Sequence, residues 1–302
     1  MARLMFRGFT GSMPNDSSDA HDTKPILVIG GTGKTGRRVA ERLTARGLPV
    51  RIGSRAGDPP FDWDDPSTWA DAVRGVEAAY ITYYPDLAFP GATERIRDLS
   101  ELAVRSGVRH LVLLSGRGEP AALAGEKVVQ EAGADWTILR ATWFNQNFSE
   151  HFLLDPVLYG ELALPAGDVT EPFVDVDDIA DVAVAALTEP GHTGEVYELT
   201  GPRLLTFADV AAELSAVTGR DIRYVPITAD RFAEALTAAG LPGEFVEALT
   251  ALFVEILDGR NSSLTDGVQR ALGRAPRDFA DYARDAAATG IWNVAANGSS
   301  AA

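Results

Sequence analysis

Short apolar runs alternate with amphipathic stretches along the first half of the chain. Residues 26–29 are apolar throughout and rich in β-branched side chains, as is typical of a strand buried on both faces of a parallel sheet. Apolar residues at helical spacing follow and stop at the turn around Gly47. Residues 50–53 then resemble a second short strand. The pattern therefore predicts a strand, a helix and a second strand in immediate succession.

The same alternation continues to about residue 150. Further strands are predicted at 78–82, 110–114 and 136–140, and helices at 66–73, 94–106 and 121–132. Strands and helices that alternate in this way form a doubly wound parallel sheet of the α/β class. Ligands bind at the carboxyl ends of its strands, so the loops containing Tyr83, Ser115 and 141–144 are expected to converge there.

Beyond residue 150, longer loops separate the predicted elements. Helices are predicted at 177–188, 207–218, 229–239 and 243–258, and short strands at 196–199 and 222–225. We predict a Rossmann core over residues 25–150 and a smaller C-terminal substrate lobe over 151–293 that partly returns to the sheet edge. Residues 1–24 and 294–302 are expected to be disordered tails.

Three glycines follow the first strand at a spacing of three residues. Gly30, Gly33 and Gly36 let the backbone turn tightly and approach a pyrophosphate without a Cβ in the way. A Walker A loop would need a glycine where Val28 stands, so nucleoside-triphosphate hydrolysis is not expected. The turn is predicted to bind a dinucleotide through Gly30, Thr32, Gly33, Lys34, Thr35 and Gly36.

The end of the second strand indicates which dinucleotide binds. Binders of NAD place Asp or Glu there for the ribose 2′-hydroxyl, whereas this chain has Ser54 and Arg55. A guanidinium pairs bidentately with phosphate, so these residues favour NADP(H). We also expect Arg37 or Arg38 to add positive charge from the helix. The alternative is that Arg55 is a solvated loop residue.

Composition and charge exclude several classes of function. The chain has 302 residues, of which 46% are hydrophobic, and carries 27 Lys plus Arg against 43 Asp plus Glu. Its formal net charge of −16 disfavours binding to nucleic acid or to an anionic membrane. It contains no cysteine and four scattered histidines, so no metal site is expected. Because no apolar stretch approaches the roughly 20 residues of a spanning helix, a cytoplasmic protein is expected. The oligomeric state stays open.

Several motifs resemble the NmrA-like branch of the atypical short-chain dehydrogenases, which includes ergot-alkaloid reductases and quinone-reductase-like proteins. The motifs are GGTGKTG (30–36), FDWDDPSTW (61–69), LRATWFNQNFSE (139–150), PFVDVDDIADVA (172–183) and YELTGP (197–202). The resemblance implies a Rossmann fold that binds NADP(H). It also implies that Asp62 and Trp63 lie beside the adenine and that 143–147, with Trp143 and Phe144, line the nicotinamide pocket.

The chain departs from the dehydrogenase pattern at the catalytic dyad. Typical members use Tyr-x-x-x-Lys, in which the lysine lowers the pKa of the tyrosine hydroxyl. Here Leu123 stands four residues before Lys127, and Ala122 falls where isoflavone-reductase relatives have their lysine. Glu126 and Lys127 are instead interpreted as a solvated helix surface. The dyad is therefore predicted to be absent.

Other residues are candidates for donating a proton. They are Ser115, Tyr83, Tyr84 and His151. The alternatives are that Ser115 bonds to the turn or the nicotinamide ribose, that the tyrosines wall the cleft and that His151 is exposed. Asp175 and Asp178 are interpreted as loop and N-cap groups. Core packing is the preferred interpretation of Phe144, Phe148, Phe152 and Leu153.

Three functional hypotheses follow. The first is an NADPH-dependent reductase of a small apolar organic molecule, such as an iminium, quinone, enone or ketone, with secondary metabolism as one expected setting. The second is a non-catalytic NADP(H)-sensing regulator that contacts protein partners. The third is a Rossmann scaffold used for non-redox chemistry. The aromatic segment 143–148 and the helices over 229–258 look able to enclose a substrate, which favours the enzyme.

Overall fold

A parallel sheet forms the centre of the protein. The computed structural model describes residues 23–150 and 152–294. Its central strands are β1 (Ile26–Ile29), β2 (Val50–Gly53), β3 (Ala78–Ile81), β4 (His110–Gly116), β5 (Asp135–Ala141) and β8 (Glu195–Leu199). In the described part of the chain these six strands are parallel and run in the order β2-β1-β3-β4-β5-β8. The chain therefore changes direction across the sheet at β1, where doubly wound sheets form their ligand crevice.

Helices cover both faces of this sheet. Helices α1 (Lys34–Ala45) and α7 (Val176–Thr188) pack together on one face, where Val28 belongs to their apolar cluster. Helices α3 (Ala92–Arg105) and α4 (Ala122–Glu131) pack on the other, where Leu27 and Ile29 are buried. Helix α2 (Trp69–Val73) continues directly from the 3-10 turn Pro66–Thr68. Alternate residues of β1 thus face opposite layers, which explains why the strand is apolar throughout.

The remaining elements, apart from α11 (Gly267–Leu272), build a second lobe around an aromatic core. They are α5 (Asn147–Glu150), α6 (Leu154–Tyr159), β6 (Glu161–Leu164), β7 (Thr170–Glu171), β9 (Leu205–Thr206), α8 (Phe207–Thr218), β10 (Arg223–Pro226), α9 (Ala229–Ala238), α10 (Gly243–Ile256) and α12 (Phe279–Ala288). Helix α11 instead packs on α7 and β8. Strand β6 pairs with β10, and β7 pairs with β9. Phe148, Phe207 and Phe279 lie among the buried aromatic side chains of this core.

The second lobe lies against the loops that leave the sheet. Phe89 beyond β3 packs on Phe245 of α10, with ring centroids 5.4 Å apart. Beyond α10, Arg260 donates from Nη1 to the carbonyl of Gly118 at 3.0 Å, and Arg117 donates to the carbonyl of Asn261 at 3.0 Å. These contacts tie the loops after β3 and β4 to the second lobe at the carboxyl edge of the sheet.

The predicted fold class is confirmed, and the elements differ from expectation chiefly in the second half. The strand at 50–53 and the helix at 207–218 have the predicted bounds. Several short elements, among them β7, β9 and α6, and the longer α12 were not predicted. None of the described helices is long and apolar enough to cross a membrane. The predicted tails fall almost entirely on residues 1–22 and 295–302, outside the described residues.

Candidate functional site

The glycine turn after β1 forms a backbone cradle. Gly30 has φ +69°, and a Cβ added at Gly36 would lie 2.2 Å from the carbonyl oxygen of Gly30. Any side chain at Gly36 would therefore separate the turn from α1. Gly33 occupies the N-cap position of α1 and supplies no side-chain cap, so the first N–H groups of the helix remain available to an anion.

The predicted residues of this turn have different surroundings. Thr32 and Gly33 are exposed, whereas Thr35 and Gly36 are buried and can offer a ligand only backbone groups. Lys34 is half-buried, and its Nζ donates to Oδ1 of Asn147 at 2.5 Å. Burial lowers the pKa of Lys34 to about 8, although nearby Glu150 acts in the opposite direction. Lys34 thus ties the glycine turn to α5.

The loop after β2 presents an arginine that can bind an anionic ligand. Arg55 is exposed and its side chain has no hydrogen-bond or ion-pair partner among residues 23–150 and 152–294, while Ser54 beside it is half-buried. Both guanidinium groups of Arg37 and Arg38 bind Glu150 of α5, at 2.7 and 2.6 Å, so one carboxylate balances part of their charge. That either arginine adds charge for the cofactor stays a prediction.

An aromatic group stands between the ends of β2 and β3. Trp63 is buried against Tyr83, with ring centroids 4.9 Å apart, and its Nε1 donates to the carbonyl of Thr82. Asp62 is half-buried and accepts the N–H of Asp64. Burial raises the pKa of Tyr83, and Tyr84 is 72% exposed. Tyr83 therefore packs as part of this aromatic group, and its raised pKa makes its hydroxyl a poor proton donor.

The segment after β5 is locked to the start of α7. Gln146 donates to Oδ1 of Asp175 at 2.9 Å, and the same oxygen accepts the N–H of Asp177, which confirms Asp175 as the N-cap. Asp178 is instead fully buried, and Arg274 and Arg277 pair with its carboxylate. Its predicted role as a loop or capping group is therefore wrong.

The two aromatic residues predicted to line the cofactor pocket are largely occupied by packing. Trp143 lies in the aromatic core of the second lobe, 5.2 Å from Phe207 and 5.1 Å from Phe253, measured between ring centroids. Its buried Nε1 has no hydrogen-bond acceptor in the described part of the chain. Phe144 is half-buried and packs against the cluster of α1 and α7. His151 lies outside the described residues.

Ser115 belongs to a buried charged network. Its Oγ donates to Oε1 of Glu126 at 2.7 Å, and Arg140 donates to both oxygens of that carboxylate at 2.6 to 3.1 Å. Glu126 is 2% exposed, so its interpretation as solvated surface is wrong, whereas Lys127 does lie on the surface. Because the Ser115 proton is directed into this network, the geometry argues against Ser115 as a proton donor to a ligand.

Two carboxyl groups for which the sequence predicts no role also lie at the carboxyl edge. Asp86 follows β3 and Glu119 follows β4. Burial raises the pKa of both groups, and the charge of Asp86 raises the pKa of Glu119 further. Glu119 lines a cavity of about 290 Å³, together with Gly116, Gly118, Pro120, Leu123, Arg140, Glu198 and Arg260. Asp86 and Glu119 belong to different loops, so no continuous sequence motif contains both.

Glu171 of β7 is a third buried carboxyl group. It is 1% exposed, and its Oε1 has no hydrogen-bond partner in the structure as described. Burial raises the pKa of Glu171 to about 8, which Arg117 opposes and Asp258 reinforces. Glu171 is therefore largely protonated at neutral pH.

We expect Glu171→Gln to stabilise the protein progressively as the pH rises. Between the ordinary value of 4.5 and about 8, the unfolded chain releases a proton that the folded protein retains, so wild-type stability falls with rising pH. Glutamine does not titrate, so the variant should gain more than about 1 kcal/mol on the wild type between about pH 5 and pH 9. Urea unfolding of both proteins at each pH measures the difference.

The same substitution at exposed Glu161 of β6 is the matched control. It should change the free energy of unfolding by less than about 0.5 kcal/mol at each pH. A difference between Glu171→Gln and the wild type that stays constant across this pH range would contradict the assigned protonation of Glu171.

Comparison with known proteins identifies the family. A model of the NmrA-like family matches residues 124–283. NAD(P)H azoreductase of Xenophilus azovorans is 32% identical over 291 residues, which cover 87% of this chain and 98% of the azoreductase. Agroclavine dehydrogenase of Claviceps fusiformis is 32% identical over 278 residues, covering 86% and 96% of the two chains. The structure of an NADPH-dependent quinone oxidoreductase from Escherichia coli, complexed with NADPH, has a TM-score of 0.69 at 23% identity and covers 86% of this chain and 99% of that chain. The resemblance found in the motifs is confirmed, and the chain belongs to the NmrA-like family.

Proposed function

We propose that the protein is an NADP(H)-dependent reductase of a small, largely apolar organic acceptor such as an iminium, quinone, enone or ketone. The single observation that carries the proposal is that the glycine cradle and the unpaired Arg55 lie next to each other at the carboxyl edge of the sheet, after β1 and β2. The relatives named NAD(P)H azoreductase and agroclavine dehydrogenase, each 32% identical over nearly their whole length, support a reductase.

The residues at this edge fit a phosphorylated dinucleotide. A side chain at Gly36 would fill the space in which the turn meets α1, so the cradle depends on glycine. The uncapped first turn of α1 suits a pyrophosphate, while Arg55 after the neighbouring β2 suits a ribose 2′-phosphate. The adenosine half would then lie over β2, and the nicotinamide half would extend over β3 and β4.

Bound NADPH supplies a hydride, and the chain supplies an enclosed place for its transfer. The contact between Phe89 and Phe245 and the bonds from Arg260 bring the second lobe over the loops after β3 and β4. Leu123 stands where a dehydrogenase would have its tyrosine, and it adds an apolar surface to the cavity there. Acceptors that are already electrophilic suit a site without the tyrosine and lysine dyad.

We expect Arg55→Ala to weaken NADPH binding about 10- to 100-fold and to change NADH binding less than threefold. The substitution removes charge-assisted hydrogen bonds to the 2′-phosphate, which NADH lacks. Titration of the purified protein with each cofactor measures the two dissociation constants. Oxidation of NADPH with a panel of quinones, enones and cyclic iminium salts tests turnover.

Arg109→Ala is the matched control, because Arg109 is also exposed but directly precedes β4 at the opposite edge of the sheet. It should leave both dissociation constants unchanged. Equal loss of NADPH and NADH binding in Arg55→Ala would contradict the assigned role of Arg55. Tight NADPH binding without turnover on any acceptor would instead favour a sensing regulator or a non-redox scaffold.

A further inference from the structure

The carboxyl group of Glu119 lies directly over the last residue of β4. A Cβ added at Gly116, that last residue, would lie 1.9 Å from Cδ and Oε1 of Glu119. The missing side chain at Gly116 therefore provides the space that the Glu119 carboxyl occupies. Asp86 lies in the loop after β3, close enough to Glu119 for its charge to act on that carboxyl group.

Both carboxyl groups are held in place by their own loops. Gly118, next to Glu119, accepts a hydrogen bond from Arg260 at 3.0 Å, and Asn261 donates to the carbonyl of Arg117 at 3.1 Å. Oδ1 of Asp86 accepts the N–H of Ala88 at 2.8 Å. The pair is therefore fixed by contacts from the second lobe and from the backbone after β3.

Glu119 is the member of this pair that carries a proton. Its buried Oε2 has no N–H or O–H donor among the described residues, so an ionised carboxylate would be left without compensation there. Burial raises the pKa of Glu119 well above its ordinary range, and the charges of Asp86, Glu255 and Glu126 act in the same direction. Asp86 accepts a backbone N–H, so it is the better placed of the two to be ionised.

The pair also lies on the side of the sheet where a nicotinamide belongs. Arg55 follows β2 on one side of β1, whereas Asp86 and Glu119 follow β3 and β4 on the other. Glu119 lines the cavity of about 290 Å³, in which Arg140, Glu198 and Arg260 are the other charged residues. A small acceptor in this cavity would meet the Glu119 carboxyl.

We propose that Glu119 donates the proton that completes reduction of the acceptor, with Asp86 as the positioning residue whose negative charge keeps Glu119 protonated. The inference rests on the function proposed above. The acceptor gains two electrons and a hydrogen as the hydride of NADPH, at carbon in a ketone or enone and at a carbonyl oxygen in a quinone, and NADPH is oxidised to NADP⁺. The O–H bond of Glu119 breaks, and a bond forms between that proton and the negatively charged oxygen of the reduced acceptor. The Glu119 carboxylate then recovers a proton from water.

Two acceptors with different proton requirements test this role. A quinone needs a proton to become a hydroquinone, whereas an N-alkylated cyclic iminium cation becomes a neutral amine by hydride addition alone. We expect Glu119→Gln to lower single-turnover reduction of the quinone about 100-fold and that of the iminium less than threefold. The dissociation constant of Glu119→Gln for NADPH should stay unchanged. The control is Glu247→Gln, because Glu247 is an exposed residue of α10. Both reduction rates and the dissociation constant of this control should equal those of the wild type.

The pH dependence provides a second signature. Quinone reduction by the wild type should fall at alkaline pH as Glu119 loses its proton, and this decrease should be absent in Glu119→Gln. Asp86→Asn removes the neighbouring negative charge, so it should move the decrease to lower pH.

A measurement on the protein without cofactor tests the protonation of Glu119 independently of activity. In protein carrying ¹³C-labelled glutamate carboxyls, NMR titration should show a resonance that titrates well above ordinary glutamates and disappears in Glu119→Gln. Absence of that resonance overturns the proposal. If Glu119→Gln loses the same factor in its reduction rate for the quinone and for the iminium, only the proton-donor role is contradicted. If the wild type reduces neither acceptor, the proposed function is contradicted as well.

Discussion

Gly36→Ala should weaken NADPH binding about a thousandfold. The new Cβ would lie 2.2 Å from the carbonyl oxygen and 2.6 Å from the carbonyl carbon of Gly30, and 2.9 Å from Cα of Gly31. All three are backbone atoms, so the turn and α1 must separate. Loss of two backbone hydrogen bonds to charged phosphate oxygens, at roughly 1.5 to 3 kcal/mol each, amounts to about 4 kcal/mol. Fluorescence titration with NADPH measures the change.

Gly243→Ala is the matched control for this substitution. Gly243 also lies in the first turn of a helix, α10, and a Cβ there would meet no atom within 4 Å. The dissociation constant of Gly243→Ala for NADPH should equal that of the wild type. Circular dichroism establishes whether Gly36→Ala is folded under the conditions of the titration. A folded Gly36→Ala protein that binds NADPH within threefold of the wild type would show that the turn does not hold the phosphates.

The alternating core of the fold could be predicted because its signals are local. Strand β1 is a continuous apolar run and helix α1 has apolar residues at helical spacing, and each element is buried as its pattern implies. Two-residue strands such as β7 and β9 contain too few residues to show any period, and they form only because they pair with each other. Such elements depend on tertiary contacts, which composition and spacing do not display.

The same distinction separates the predicted parts of the site from those that were missed. The glycine turn and Arg55 belong to one continuous segment, so spacing alone located them. Glu126 occupies a helix next to exposed Lys127, and only Arg140 from a distant strand explains its burial. Asp86 and Glu119 come from different loops, which are neighbours only because β3 and β4 pair. The residues that we propose to supply the proton are thus ones that sequence spacing conceals.

Arg140→Met should destabilise the protein by about 3 to 5 kcal/mol. Arg140 donates two parallel hydrogen bonds to Glu126, at 2.8 Å from Nε and 2.6 Å from Nη2. Glu126 is 2% exposed, so the variant leaves a buried carboxylate with only the Ser115 hydroxyl as a hydrogen-bond donor in the described structure. Removing one member of a buried ion pair costs this much because the remaining charge is not solvated. Urea unfolding at neutral pH measures the loss.

Two further variants show whether the unpaired charge causes that loss. Lys127→Met removes a cation from the exposed pair with Glu131, whose 3.7 Å separation and high solvent exposure predict a change below about 0.5 kcal/mol. The double variant Glu126→Leu and Arg140→Met removes both charges, so it should recover most of the stability lost in Arg140→Met. If the double variant is as unstable as the single one, lost packing rather than the buried carboxylate accounts for the effect. Recovery would establish that the role of Arg140 in stability is to neutralise Glu126.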